Sequence, residues 1–94
     1  MAGNKRYVKG RMFEYKVRDA LKEKGYVVFR CASSRPVDLI ALRPNEVLLV
    51  ECKTEKRIDV TQLDRQIELA KQAGAKLIYA FKEKKGIEFR QMFP

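Results

Sequence analysis

The sequence predicts an α/β domain of element order αβββαββ, a mixed β-sheet flanked by helices. Three observations lead there. Two stretches repeat apolar residues at three- and four-residue steps, and each ends at a glycine. Short β-branched and apolar runs occupy the segments between and after them. The third such run, the second helical stretch and the fourth run form a strand–helix–strand unit, whose crossover is right-handed if its strands are parallel. Ninety-four residues with no repeat, low-complexity tract or internal boundary read as one domain, 1–94, with room for a single modest core.

Residues 1–6 read as a flexible basic arm. The first helix runs from about Tyr7 to Lys24, with Phe13, Val17, Ala20 and Leu21 on its apolar stripe and Gly25 as its stop. Glu14 borders that stripe, and pairing with Arg18 one turn on is the plain structural reading for it. Tyr26 to Ala32 has strong β propensity. Ser33-Ser34-Arg35-Pro36 is a loop in which Pro36 holds Arg35 extended. Val37–Leu42 and Val47–Lys53 are antiparallel strands joined by Arg43-Pro44-Asn45-Glu46. Thr54–Ile58 is a polar connector. Asp59 or Thr61 then caps a second helix that ends at Gly74, with Val60, Leu63, Ile67 and Ala70 as its apolar face and Gln66 off that line. Lys76–Phe81 is an interior strand, 82–86 a hairpin turn, and Ile87–Arg90 an edge strand. Met92 and Phe93, further on, belong either to the core or to a contact with another chain.

With 21 Lys and Arg against 12 Asp and Glu, the net charge is +9. Such an excess favours a polyanionic partner. The polar, basic N-terminus and the lack of a long apolar run argue against a membrane span or signal peptide and for a cytoplasmic protein. Cys31 and Cys52 lie in strands without CxxC spacing, as packed thiols do. The absence of histidine excludes His-dependent triads and the usual zinc enzymes. A metal must therefore be held by oxygens, which suits Mg²⁺, with Mn²⁺ able to substitute.

The central hairpin supplies such oxygens. If Leu42 faces Val47, Asp38 falls opposite Glu51, and period two puts Asp38, Glu51 and Lys53 on one face. A cross-strand ion pair is the commoner meaning of such a trio. Here, however, the charges interrupt runs that otherwise build a core. Two carboxylates and a lysine at a sheet end suit metal-dependent phosphodiester hydrolysis, with Asp38 and Glu51 on the metal and Lys53 toward the water or phosphorane. Glu14 could supply a further oxygen. Arg6, Lys9, Arg11, Arg30, Arg35, Lys56, Arg57 and Arg65 are candidates for holding the polyanionic partner, whether DNA, RNA or an anionic membrane.

Glu14, Lys24-Gly25-Tyr26-Val27-Val28-Phe29-Arg30 with Ser34, Asp38-Leu39-Ile40-Ala41 and Glu51-Cys52-Lys53 follow one another in an order that resembles the archaeal-type Holliday junction resolvases of the PD-(D/E)xK nuclease superfamily. A glutamine on the following helix matches Gln66. The resemblance covers nearly the whole chain, and the ordered set is far more specific than a bare D…ExK. It implies a restriction-endonuclease-like core and metal binding by Glu14, Asp38 and Glu51. It also implies a catalytic Lys53, catalytic roles for Ser34 and Gln66, and a homodimer that cuts four-way junctions at two symmetric positions. The alternatives are a related nuclease acting on other branched or foreign DNA, and a basic DNA-binding protein without catalysis.

Overall fold

The structure, a computed structural model, describes the backbone of residues 5–94 and the side chains from Val8 onward. The expected order of elements is present. Helix α1 (Lys5–Glu23) leads to strand β1 (Val27–Arg30), a short 3₁₀ turn (Ala32–Ser34), and strands β2 (Leu39–Arg43) and β3 (Glu46–Lys53). Helix α2 (Val60–Ala73) and strands β4 (Lys76–Glu83) and β5 (Gly86–Phe93) complete the chain. The strands form one sheet in the order β1-β2-β3-β4-β5. β3 and β4 are parallel, as the α2 crossover between them requires, and the other neighbours are antiparallel. The basic arm expected over 1–6 is shorter at its inner end: Lys5 and Arg6 already belong to α1, and 1–4 lie outside the described residues.

The two helices stop in the same way. Tyr26 N–H donates to Leu21 O at 3.1 Å and Gly25 N–H to Lys22 O at 2.9 Å, with Gly25 at φ 92°. After α2, Ala75 N–H donates to Ala70 O at 2.9 Å and Gly74 N–H to Lys71 O at 3.3 Å, with Gly74 at φ 64°. Each is a Schellman motif, in which a left-handed residue lets the chain double back onto the last free carbonyls. At the other end of α2, Asp59 is the cap, accepting from Gln62 N–H at 3.1 Å.

The sheet is packed on both faces. Phe13, Val17 and Leu21 of α1 meet Leu39, Ala41, Leu48, Val50, Ile78 and Ala80. Ala70 of α2 meets Val37, Leu49, Leu77, Tyr79 and Phe81, with Leu63 and Ile67 packed alongside. Met92 and Phe93 pack, partly buried, against this second core from β5, which extends past Arg90. Two details of α2 differ from expectation. Val60 is 65% exposed, whereas Gln66 is 2% exposed. The buried stripe is thus rotated, and a glutamine takes an inward position because its polar atoms find partners there.

The β2–β3 hairpin has the expected register. Leu42 faces Val47, and Arg43 and Glu46 add one further pair, leaving Pro44-Asn45 as the turn. Asn45 takes φ 61°, the left-handed value that the second corner of a type II turn demands. Adding a pair without changing parity keeps Glu51 and Lys53 on the α2 side of the sheet.

Candidate functional site

Three groups, Asp38, Glu51 and Lys53, meet at the end of the sheet where β3 finishes. Glu51 comes from inside β3 and Lys53 from its last residue. Their side chains share a face, with Lys53 Nζ 3.7 Å from Glu51 Oε2. Asp38 stands just before β2, and its backbone bonds both neighbours: its N–H donates to Val50 O at 3.1 Å, and its carbonyl accepts from Cys31 N–H at 2.9 Å. Its placement corrects one expectation. Strict alternation would put Val37 with Leu39, yet Val37 packs in the α2-side core and Leu39 in the α1-side core. Asp38 sits at this change of face, so it is not simply a third member of the Glu51–Lys53 face. Its Oδ2 accepts from Cys52 N–H at 2.8 Å, and its charge acts on Glu51 and on Glu14 of α1 alike.

Glu14 does not pair with Arg18, which instead binds the adjacent Asp19. It accepts from Arg30 Nε at 3.0 Å across the α1–β1 interface. Burial raises the Glu14 pKa; Arg30 pulls it down, and nearby Asp38 pushes it up again. Glu51 is raised further, to about 7, chiefly by burial and then by the negative charge of Asp38, against the pull of Lys53. Both shifts reflect carboxylates withdrawn from water close to one another, where a cation lowers the cost of ionising them. Among the described residues, no three acidic, cysteine or histidine groups lie together closely enough to cage a metal. What the site offers is a carboxylate pair, Asp38 and Glu51, with Glu14 beyond Asp38. That set fits Mg²⁺, which keeps several waters and is commonly held by one or two carboxylates.

Around Glu51 runs a network that sequence reasoning found only in part. Gln66 Nε2 donates to Glu51 Oε1 and to Pro36 O, both at 3.1 Å, and Tyr79 OH donates to Gln66 Oε1 at 2.6 Å. Lys53 Nζ donates to Gln62 Oε1 at 3.1 Å, while Gln62 Nε2 lies 3.4 Å from Glu51 Oε2. Gln62 and Tyr79 were not among the candidate residues. The signal for Gln62 was its spacing, one turn before Gln66 on the same side of α2. For Tyr79 it was position: β4 runs parallel to β3 with Tyr79 directly beside Glu51. Burial, followed by the charge of Glu51, raises the Tyr79 hydroxyl to about 12, so it remains a donor. Cys52 is raised by burial and stays a thiol, as expected for a packed cysteine.

The loop 32–36 stands in front of this cluster. Ser33 and Ser34 take φ 56° and 54°, a left-handed conformation that costs a non-glycine residue about 1 kcal/mol or more. Ser34 borders two clefts. One, of about 870 Å³, lies on the α2 side and is lined by Arg35, Lys53, Gln62 and Arg65 among others. The other, of about 300 Å³, lies on the α1 side, with Arg11, Glu14 and Arg30. Arg11, Arg30, Arg35 and Arg65 are therefore beside the cluster. Lys9 lies further along the same end of the sheet, in a cleft shared with Lys16, Lys82 and Lys84. Lys56 is taken up internally, bound to Glu83 at 2.6 Å and Glu88 at 3.2 Å, and Arg57 is exposed on the connector. The side chain of Arg6 lies outside the described residues.

Comparison with known proteins identifies the family and the fold. Residues 5–93 match the family model of the archaeal Holliday junction resolvases (Hjc). The chain is 37% identical over 81 residues to the crossover junction endodeoxyribonuclease Hjc of Methanocaldococcus jannaschii; the match covers 82% of this chain and 61% of that relative's length. The fold is similar to that of Archaeoglobus fulgidus Hjc, a Holliday junction resolvase from an archaeal hyperthermophile solved at 1.6 Å resolution. That likeness has a TM-score of 0.76 at 24% identity over 92% of this chain and 72% of the other.

Proposed function

From the premise that the chain belongs to the archaeal Holliday junction resolvase family, we propose that it is a structure-selective endodeoxyribonuclease that resolves four-way DNA junctions by paired, symmetric phosphodiester hydrolysis. The observation that carries this reading is the meeting of Asp38, Glu51 and Lys53 at one sheet end, between two arginine-lined clefts.

Asp38 and Glu51 would hold Mg²⁺ or Mn²⁺, with Glu14 acting through a water. Such an ion supplies a polarised phosphate and an acidified water. The chain's own groups do the rest. Gln62 holds the Lys53 ammonium nitrogen in place beside Glu51, where it orients the attacking water or faces the developing phosphorane. The left-handed Ser33-Ser34 backbone presents Ser34 at the lip of both clefts, next to where the scissile strand would pass. Arg11, Arg35 and Arg65 bind flanking phosphates, while Arg30 is held by Glu14, and the Lys9, Lys16, Lys82 and Lys84 cleft continues that path along one duplex arm. Two opposed cuts on a two-fold junction require two sites at a fixed separation, which a homodimer supplies. The working compartment is the cell interior, where recombining DNA lies. No helix among the described residues is long and apolar enough to cross a membrane.

A synthetic four-way junction incubated with Mg²⁺ or Mn²⁺ tests the proposal. Paired nicks at symmetric positions in opposed strands are the expected result. Cutting only other branched DNA would indicate a related nuclease, and binding without cutting a non-catalytic protein. Asp38→Asn and Lys53→Ala should each abolish cutting while leaving junction affinity largely intact.

A further inference from the structure

The hydroxyl of Tyr79 takes no part in the roles assigned above, yet it is buried at the centre of the site's hydrogen-bond network. Its partner, the Gln66 carboxamide, is fully committed. The amide nitrogen has two donor hydrogens and two partners, Glu51 Oε1 and the Pro36 carbonyl, each at 3.1 Å. The Pro36 carbonyl only accepts, as does Glu51 once a bound cation ionises it, so the nitrogen must face them. The amide oxygen is thereby turned to Tyr79, whose hydroxyl must donate, as it does at 2.6 Å. Turning the amide over would set its oxygen against two acceptors inside a site that water scarcely reaches, where unmet polar groups are costly.

We propose that Tyr79 is a positioning residue: its hydroxyl locks the Gln66 carboxamide in one orientation, and that carboxamide fixes the Glu51 carboxylate relative to Pro36 and hence to the loop carrying Ser34. One amide thus joins β3, β4, α2 and the 32–36 loop. The topology makes this economical, because the parallel pairing already sets Tyr79 beside Glu51. The inference rests on the reading of Glu51 as a metal ligand. Partners of this kind behind a ligand orient it, and their loss commonly weakens metal affinity or activity about 10- to 100-fold.

Tyr79→Phe removes the hydroxyl and keeps the ring that packs on Phe81, 6.0 Å between centroids. The side-chain amide signals of Gln66 report its orientation directly by nuclear magnetic resonance. In the wild-type chain those protons should exchange with water far more slowly than those of exposed Gln72, and Tyr79→Phe should speed them markedly. In junction cleavage the Mg²⁺ concentration for half-maximal rate should rise about tenfold or more, with the rate at saturating Mg²⁺ close to wild type. A folded Tyr79→Phe protein with unchanged amide exchange and an unchanged Mg²⁺ midpoint would overturn the inference. If that variant does not fold, wild-type Gln66 protons exchanging as fast as those of Gln72 would overturn it equally. A wild-type chain that cuts no junction would refute the proposed function instead, and the amide exchange would still decide the role of Tyr79.

Discussion

Glu51 shows what burial does to one ionisable group. Its carboxyl keeps its proton up to about 7 in the fold, against an ordinary value of 4.5. Between those values the folded chain binds more protons than the unfolded one, so metal-free stability falls as pH rises through that window and then levels off. Glu51→Gln should therefore melt above the wild type at pH 8 without metal, by an amount roughly equivalent to 2–3 kcal/mol at most. That advantage should vanish near pH 4, where the wild-type residue is protonated in both states. Added Mg²⁺ should raise the melting temperature of the wild type at pH 8 and leave Glu51→Gln unmoved. Thermal melts at the two pH values, with and without Mg²⁺, check all three statements. Glu51 and Lys53 were legible in the sequence because strand periodicity and hairpin parity are arithmetic. Asp38 was legible in position but not in direction, since the face changes between Val37 and Leu39 where the chain leaves the loop. The Arg30 partner of Glu14 was not legible at all: it depends on α1 lying across β1, sixteen residues away.

Helix α2 is the element on which the site's precision rests, because Gln62 and Gln66 reach Glu51 and Lys53 from it. Its first turn is tied down by the Asp59 cap. Asp59→Ala should cost about 1 kcal/mol, which for a domain of this size lowers the melting temperature by roughly 4–8 °C. Calorimetry in metal-free buffer measures it. The ends of this helix were readable from Asp59 and Gly74, whose local chemistry stands alone. Its buried face was not. Apolar counting favoured Val60 and left Gln66 at the border, because counting cannot see that a buried amide will be fully satisfied. β5 likewise extends through Met92 and Phe93, since Phe93 pairs with Leu77 beyond an irregularity in the ladder that no local pattern announces.

At the level of the whole molecule, a net charge of +9 surrounds an acidic cluster. The proposed division of labour is that cations hold the DNA backbone while the carboxylates address the metal. Junction affinity should fall linearly with log salt, with a slope of about −0.9 per phosphate contacted. Arg65→Ala, and separately Lys84→Ala, should each reduce that slope by about one while leaving the pattern of cuts unchanged. Fluorescence titrations across salt concentrations give the slopes. A parallel series with Lys56→Ala should show little change, because that ammonium is already bound to Glu83 and Glu88. Composition announced the positive surface. It could not say which lysines the fold spends on its own carboxylates.

The proposed function requires Asp38, just before β2, and Glu51 of β3 to hold a divalent ion in reach of Lys53. Crystals soaked in Mn²⁺ and measured at the manganese absorption edge locate such an ion directly. An anomalous peak is expected between Asp38 and Glu51, within about 2.2 Å of an oxygen of each, and absent from crystals of Asp38→Asn. Manganese bound elsewhere on the chain, with none between those two side chains, would contradict it.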